Sequence, residues 1–361
     1  MRVTSQMVYN QLRRALQGNL SELAEKNTRL YTGKKIDKPS DDVIGMMNAM
    51  GYRVSISGNE QYQRNINEAN TNLELSGTVM KSLADGLLKM KQLTSTGSDA
   101  QSQENRDRYA QEAAGLRDFF LGLSNTKAGN RYLFSGYQSD QKAFVYNSVT
   151  HAYDYQGDLG EIKVPVDKGA DVSINIQGSR AFSFKVSSEM PAKLADGTPV
   201  STSQTTDPST GITTTTIEIG NAGDPAHDTF SFSNIMDLTN VMSYAWKYQD
   251  IDGTALHSNS GTNELMALHR IMALTVPLDS ARSQALNMEA EAGIRRVQIR
   301  DQNTRLTATN LNLKNALTAT EDADMTETIT DIKKIEVALD ALRASSASIM
   351  SKSLFDFLTA V

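Results

Sequence analysis

The strongest constraint on this chain is a seven-residue apolar repeat at both of its ends. Near the start, Tyr9, Leu16, Leu23 and Leu30 recur at that interval. Near the finish, Ile332 and Leu339 form one series and Ile335, Leu342 and Ile349 another, with Leu354 and Phe357 just beyond. Such a period marks a coiled-coil seam, because it keeps one stripe of a helix turned toward a partner. Residues 1–40 hold eight Lys or Arg against three Asp or Glu, whereas residues 321–361 hold four against eight. Opposite charge favours pairing of the two ends. Asp41 and Asp42 narrow the difference, so burial of the stripes must supply most of the energy. A chain whose first and last helices belong together, with everything else looped out between them, reads as an assembly subunit rather than an enzyme.

Composition agrees with that reading. The chain has 361 residues, yet it is 39% hydrophobic and 6% aromatic with a single tryptophan, Trp246, which is thin for one large globular core. A net charge of −6 gives no general attraction to nucleic acid or anionic lipid. The basic N-terminus is interleaved with a leucine stripe and reads as a solvated helix face, so neither a nucleic-acid nor a membrane partner is expected. Cysteine is absent, which excludes disulfides and thiolate chemistry. No run approaches the ~18 uncharged apolar residues of a membrane span, and residues 1–10 lack the apolar core of a cleavable signal. The expectation is a protein that stays in the cytoplasm or leaves by a route needing no cleaved signal.

Changes of period divide the chain. From Ile56 to about Thr96, Ile66, Leu73, Met80 and Leu87 occupy one heptad position and Ala69, Ser76, Leu83 and Met90 the other, predicting a helix about 60 Å long. Gly97 and Ser98 end it, and Tyr109, Ala113, Leu116, Phe120 and Leu123 predict a second helix running back. Beyond Tyr132 the chemistry turns to strands at Phe144 to Tyr146, Ile162 to Val166, Val172 to Ile176, Phe182 to Val186, Thr213 to Ile219 and Thr229 to Phe232. Residues 201–216 carry eleven Ser or Thr with Pro208 and Gly211, the composition of an exposed hairpin or solvated tip. Helical spacing resumes near Asn234 and, after a loop from Asp250 to Gly261, continues past Leu317. Pro277 should kink or restart that helix. The fold class expected is mainly α with a β-rich insert, a long antiparallel helical bundle or coiled coil formed by the N- and C-terminal regions. Its segments are 1–42 (assembly helix and linker), 43–140 (first half of the bundle), 141–233 (β-rich outer domain), 234–317 (second half of the bundle) and 318–361 (C-terminal assembly helix).

Catalytic and ligand chemistry is sparse. His151, His227, His257 and His269 are scattered, without a spacing that would share a metal. Asp250, Ile251, Asp252 and Gly253 start like a calcium loop but lack its later ligands, so a turn is the expectation. No phosphate loop, dinucleotide fingerprint or nucleophile elbow occurs. No enzyme activity, metal or cofactor is expected.

Specificity lies in short stretches. Leu30 to Gly33 followed by Lys34, Lys35, Ile36, Asp37, Lys38, Pro39, Ser40, Asp41 and Asp42 reads as a helix stop at Gly33, an extended link and a new cap at Ser40 or Asp41. This stretch resembles the N-terminal signature of the flagellin superfamily, and in its proline form that of the superfamily's hook-filament junction branch, as does the opening Met1 to Asn10. Asn130 to Gly136 is similar to the family's helix-to-β junction. Tyr155, Gln156, Gly157 and Asp158, with Gly169, Val172, Asn175, Gly178 and Phe182, resemble the branch's β insert. Glu321 to Met325 resembles the C-terminal acidic turn, and Ser353 to Leu358 the ending.

The resemblance implies a flagellin-like fold and an extracellular structural subunit of the bacterial flagellum. It would join hook-associated protein 1 at the hook to the flagellin filament, standing beside identical subunits in a ring. It also implies type III export without a cleaved signal peptide, with a cytoplasmic chaperone. The expected assembly interface is Tyr9, Leu16, Leu23, Leu30, Ile332, Ile335, Leu339, Leu342, Ile349, Leu354 and Phe357, ordered as neighbouring subunits cover it. Two other readings stay open: a flagellin filament subunit, and a coiled-coil adaptor or type III secretion translocator.

Overall fold

A computed structural model of the chain describes residues 5–97, 102–187, 190–258 and 260–358. Eight helices and nine strands occur among them: α1 Ser5–Thr32, α2 Val43–Gly97, α3 Gln103–Ser124, β1 Lys127–Ala128, β2 Arg131–Tyr132, β3 Phe144–Asn147, β4 Ala152–Tyr155, β5 Lys163–Asp167, β6 Ala170–Ser173, α4 Gly178–Phe182, β7 Val200–Thr206, β8 Thr213–Ile219, β9 Asp228–Phe232, α5 Ile235–Ala245, α6 Ser260–Ala273, α7 Thr275–Glu321 and α8 Met325–Leu358. The mainly helical class with a small antiparallel insert is as the periodicity requires. Two compact units form, one from residues 1–61 and 305–361, the other from 62–304.

In the first unit α1 packs on α8, and the start of α2 runs beside the end of α7, where Asn59 Nδ2 donates to Asn310 Oδ1 at 2.9 Å. The second unit holds the rest of α2 and α7, again antiparallel, with Arg296 3.3 Å from Glu74 and Lys91 2.7 Å from Asp279. All eight heptad positions from Ile66 to Met90 are buried, so the period identified the packed stripe of α2 correctly. The heptad pattern expected from Ile56 to about Thr96 is the packed part of a helix that begins thirteen residues earlier, at Val43, where Gly45 and Gly51 weaken local helix propensity. Its cap is Asp42, one residue past the expectation, whose Oδ1 accepts the amides of Ile44 and Gly45 at 3.1 and 3.0 Å. Pro277 falls in the first turn of α7, where its missing N–H costs little, and so restarts the helix after a break at Leu274.

Among the described residues the strands form four small sheets, β1–β2 ahead of the expected insert and β3–β4, β5–β6 and the three-stranded β7–β8–β9 within it. The expected strand Phe182 to Val186 is not one. One turn of helix, α4, ends at Phe182, and the extended residues after it bury Phe182, Phe184 and Val186 without joining a ladder. Their alternation is a packing pattern, and packing alone does not require a neighbouring strand. Residues 201–216 do form a hairpin, but only half of it is a solvated tip. β8 is the central strand, and Thr213, Thr215, Ile217 and Ile219 along it are buried. Threonine serves there as a β-branched strand former. The Asp250 to Gly253 stretch is a turn, with Gly253 at φ +84° and its amide bonded to the Asp250 carbonyl at 2.8 Å.

Two stretches distant in sequence meet at the helix-to-sheet junction. The Phe134 carbonyl accepts the Tyr155 hydroxyl at 3.0 Å and the Gly178 amide at 2.9 Å, and the Phe134 and Phe182 rings meet edge-on at 5.2 Å. Burial pushes the Tyr155 hydroxyl up to about 12, so it stays a donor at any physiological pH. A side chain at Gly178 would lie 2.5 Å from the Phe134 carbonyl oxygen, so backbone proximity selects glycine.

Candidate assembly interface

The terminal stripes lie on α1 and α8, and within one chain they face each other. On α1 the positions withdrawn from solvent include the row Leu12, Leu16, Asn19, Leu23, Lys26 and Leu30, with Asn10 and Arg29 beside it. On α8 they include the row Thr328, Ile332, Ile335, Leu339, Leu342 and Ser346, with Asp331 and Ala338 beside it. Both rows alternate steps of four and three, the spacing of a knobs-into-holes seam. Lys26 Nζ sits 2.7 Å from Asp331 Oδ2, and the Ala323 amide donates to the Gly33 carbonyl at 2.9 Å, which makes the pair antiparallel. With equal rise on both helices, that register brings Leu23 level with Ile335, and Leu16 level with Leu342, to within about one residue.

Ile332, Ile335 and Leu339 are buried, at 8%, 8% and 4% exposure. Leu16, Leu23, Leu30 and Leu342 are partly buried, and Tyr9 is 54% exposed. Ile349, Leu354 and Phe357 lie on α8, but their side chains fall outside the described residues. Among the described residues, opposite charge contributes one pair along this seam, Lys26 with Asp331, both largely sheltered; the apolar rows do the rest.

The signature between α1 and α2 closes onto the acidic turn between α7 and α8. Gly33, at φ +71°, ends α1 in the left-handed region that favours glycine. The Lys35 amide donates to the Glu321 carbonyl at 2.8 Å, and Lys34 and Asp322 form an isolated antiparallel bridge. The Glu321 carboxylate, 4% exposed, is gripped by both Lys34 and Arg53. Burial raises its pKa, but the two cations outweigh burial and hold it below the ordinary value. Ile36 is 3% exposed beneath this knot. Asp41 accepts the amides of Lys38 and Asp37 at 3.0 and 3.1 Å, and those bonds depress its pKa. Two charge-bearing stretches some 285 residues apart thus form one clamp.

A second apolar row was not among the expected residues. On the first turns of α2, Val43, Met47, Met50 and Val54 are 61%, 69%, 53% and 74% exposed, with Ile44 beside them at 74%. They too step by four, three and four. Between Val43 and Asn59 the helix carries one charge, Arg53, which Glu321 engages. Both signals were present in the sequence.

Comparison with known proteins gives this geometry a family context. Residues 3–139 match the bacterial flagellin N-terminal helical region. The chain is 28% identical over 184 residues to flagellar hook-associated protein 3 of Escherichia coli K12, covering 50% of this chain and 57% of that protein. It is 25% identical over 193 residues to flagellar hook-associated protein 3 of Salmonella typhimurium, covering 53% and 60%. These matches span less than two thirds of either relative. Solved structures with the same fold include FlgL of Xanthomonas campestris (TM-score 0.55, 16% identity, 74% of this chain and 99% of that one) and the flagellar junction protein FlgL of Legionella pneumophila (TM-score 0.52, 18% identity, 77% and 100%). Over about half its length the chain is similar to the flagellar hook-associated proteins 3, and its residues 3–139 match the bacterial flagellin N-terminal helical region.

Proposed function

We propose that this chain is a structural subunit of the bacterial flagellum, seated at the junction where hook-associated protein 1 meets the flagellin filament. The α1–α8 seam carries the reading. An antiparallel helix pair with a single buried stripe is marginal in water, and gains stability when neighbouring subunits pack round it. Assembly is then coupled folding: α1 and α8 order fully in the company of identical subunits, hook-associated protein 1 and flagellin. The protein works outside the cell after export through the flagellar type III route, held until then by a cytoplasmic chaperone. Its role is mechanical rather than catalytic.

Electron microscopy of intact flagella labelled against residues 201–216 tests the location. A single band at the distal end of the hook is expected, and label along the whole filament would instead identify a flagellin. Removal of residues 1–40 should leave residues 62–304 folded and abolish incorporation. Normal incorporation of that truncation refutes the role given to α1.

A further inference from the structure

We infer that the exposed row on the first turns of α2 is a second docking face, and that its occupant is the outer ridge of α8 from a second copy of this chain. The inference rests on the reading of the chain as a flagellar subunit and names the partner of one face. Contiguous apolar surface of this kind is rare on a monomer unless something covers it. On α2 the exposed residues fall into two parallel i, i+4 rows, Val43–Met47–Gly51 and Met50–Val54–Gly58, with a shallow groove between them. A Cβ at Gly51 or Gly58 would meet nothing within 4 Å, so no contact inside the chain accounts for glycine there, although each costs helix stability of about 1 kcal/mol.

The matching ridge is on α8. Met325, Ile329 and Val337 are 43%, 43% and 70% exposed, and with the aliphatic stem of Lys333 they form one i, i+4 row. It lies beside the α8 stripe that α1 already covers, so it continues an existing seam. In length it spans about 18 Å, against about 16 Å from Val43 to Val54 on α2. Lys333 and Lys334 near Val337 are balanced by Glu336 and Asp340, so apolar contact rather than charge sets this pairing; with the ridge antiparallel to α2 and Val337 at Val43, Ile329 comes level with Met50 to within about one residue. Because the two faces are different surfaces of one chain, the contact is head-to-tail. Each copy offers α2 to one neighbour and α8 to the next, which closes into a ring or climbs as a helix. A strip one helix wide falls short of the roughly 800 Å² per partner of a stable pair. The free chain therefore stays monomeric, and the contact holds only when repeated round an assembly.

The chain has no cysteine, so cross-linking is clean. The full chain carrying Met50→Cys and Ile329→Cys is expressed in a strain lacking the wild-type gene, and purified flagella are oxidised and run without reductant. A ladder of dimer, trimer and larger species is expected. Flagella that contain either single variant alone should show monomer only. Two results overturn the inference while leaving the junction reading intact: monomer only from flagella that contain the doubly substituted chain, and dimers from Met50→Cys alone, which would mean two α2 rows meeting face to face. Absence of the wild-type chain from purified flagella overturns the junction reading and this inference with it. As a second measurement, Met50→Glu with Val54→Glu, both at exposed positions, should lower the incorporated amount at least tenfold with secreted protein unchanged. Unchanged incorporation refutes the docking face.

Discussion

Replacing Glu321 by Gln isolates the electrostatic part of the clamp between the first linker and the acidic turn. Gln keeps the shape and leaves both backbone bonds in place, Lys35 N to Glu321 O and Ala323 N to Gly33 O. What it removes is a carboxylate 4% exposed that faces two cations, Lys34 and Arg53, 39% and 45% exposed. Breaking a fully buried pair costs about 3 to 5 kcal/mol because a charge is stranded. Here both cations can rehydrate, and exposed pairs are worth about 0 to 1 kcal/mol. The expected cost lies between, about 2 kcal/mol, or roughly a 30-fold change in the opening equilibrium.

Hydrogen exchange of the Lys35 and Ala323 amides reads that equilibrium directly, since these donate the two shorter backbone bonds of the clamp, with Ile36 N at 3.5 Å from the same Glu321 carbonyl. Both should lose about 30-fold protection at neutral pH in Glu321→Gln, while amides of the α5 core keep theirs. The pH dependence has a definite sign. A carboxylate held below its ordinary 4.5 stabilises the fold fully above that value, and the stabilisation is lost as pH falls through the depressed folded value. Wild type and variant should therefore converge in acid. Equal protection of the two proteins at pH 7 would refute the argument, because it would mean the backbone bonds alone hold the linker.

Leu339→Ala should cost about 2 to 3 kcal/mol, toward the lower end for a buried leucine because the two-helix seam can collapse; far-UV circular dichroism should show helix loss on the scale of α1. Leu339→Asp should block incorporation while monomer still reaches the culture supernatant, and normal filaments would count against the seam. Arg270, 2% exposed, binds Asp228 through two nitrogens, one at 2.8 Å, and reaches Asp250 at 2.9 Å. Arg270→Met strands the buried Asp228 and should cost about 3 to 5 kcal/mol in urea denaturation, most of it recovered by adding Asp228→Asn. Burial raises the Asp237 carboxyl to about 7 against the amides of Tyr153 and Ser233 that bind it. The folded state then holds a proton that the unfolded chain releases near 3.8. Stability should fall as pH rises from about 4 to 7, by on the order of 4 kcal/mol at most, and a flat profile over that window would contradict the assignment.

What the sequence determined by itself was local and periodic. Heptad spacing placed the packed face of α2 and the stripes of α1 and α8, because which face of a helix is apolar depends only on residue order. Gly33 and Asn234 marked a stop and a start for the same reason: left-handed φ and side-chain capping are properties of single residues. The resemblance stretches were legible because each is contiguous. What only the tertiary structure decided was partnership. Nothing in Phe182 to Val186 says whether an alternating run will find a strand to pair with, and it does not. Nothing in the Ser/Thr-rich run says that β8 lies between two strands, which turns half of a polar segment inward. Nor could the order of residues show that Lys34 and Arg53 would converge on Glu321, since that meeting depends on α1 and α8 lying antiparallel. The terminal stripes and their opposite charges already point to each other; only the folded chain fixes the register in which they meet, and shows that an apolar row on α2 is left uncovered.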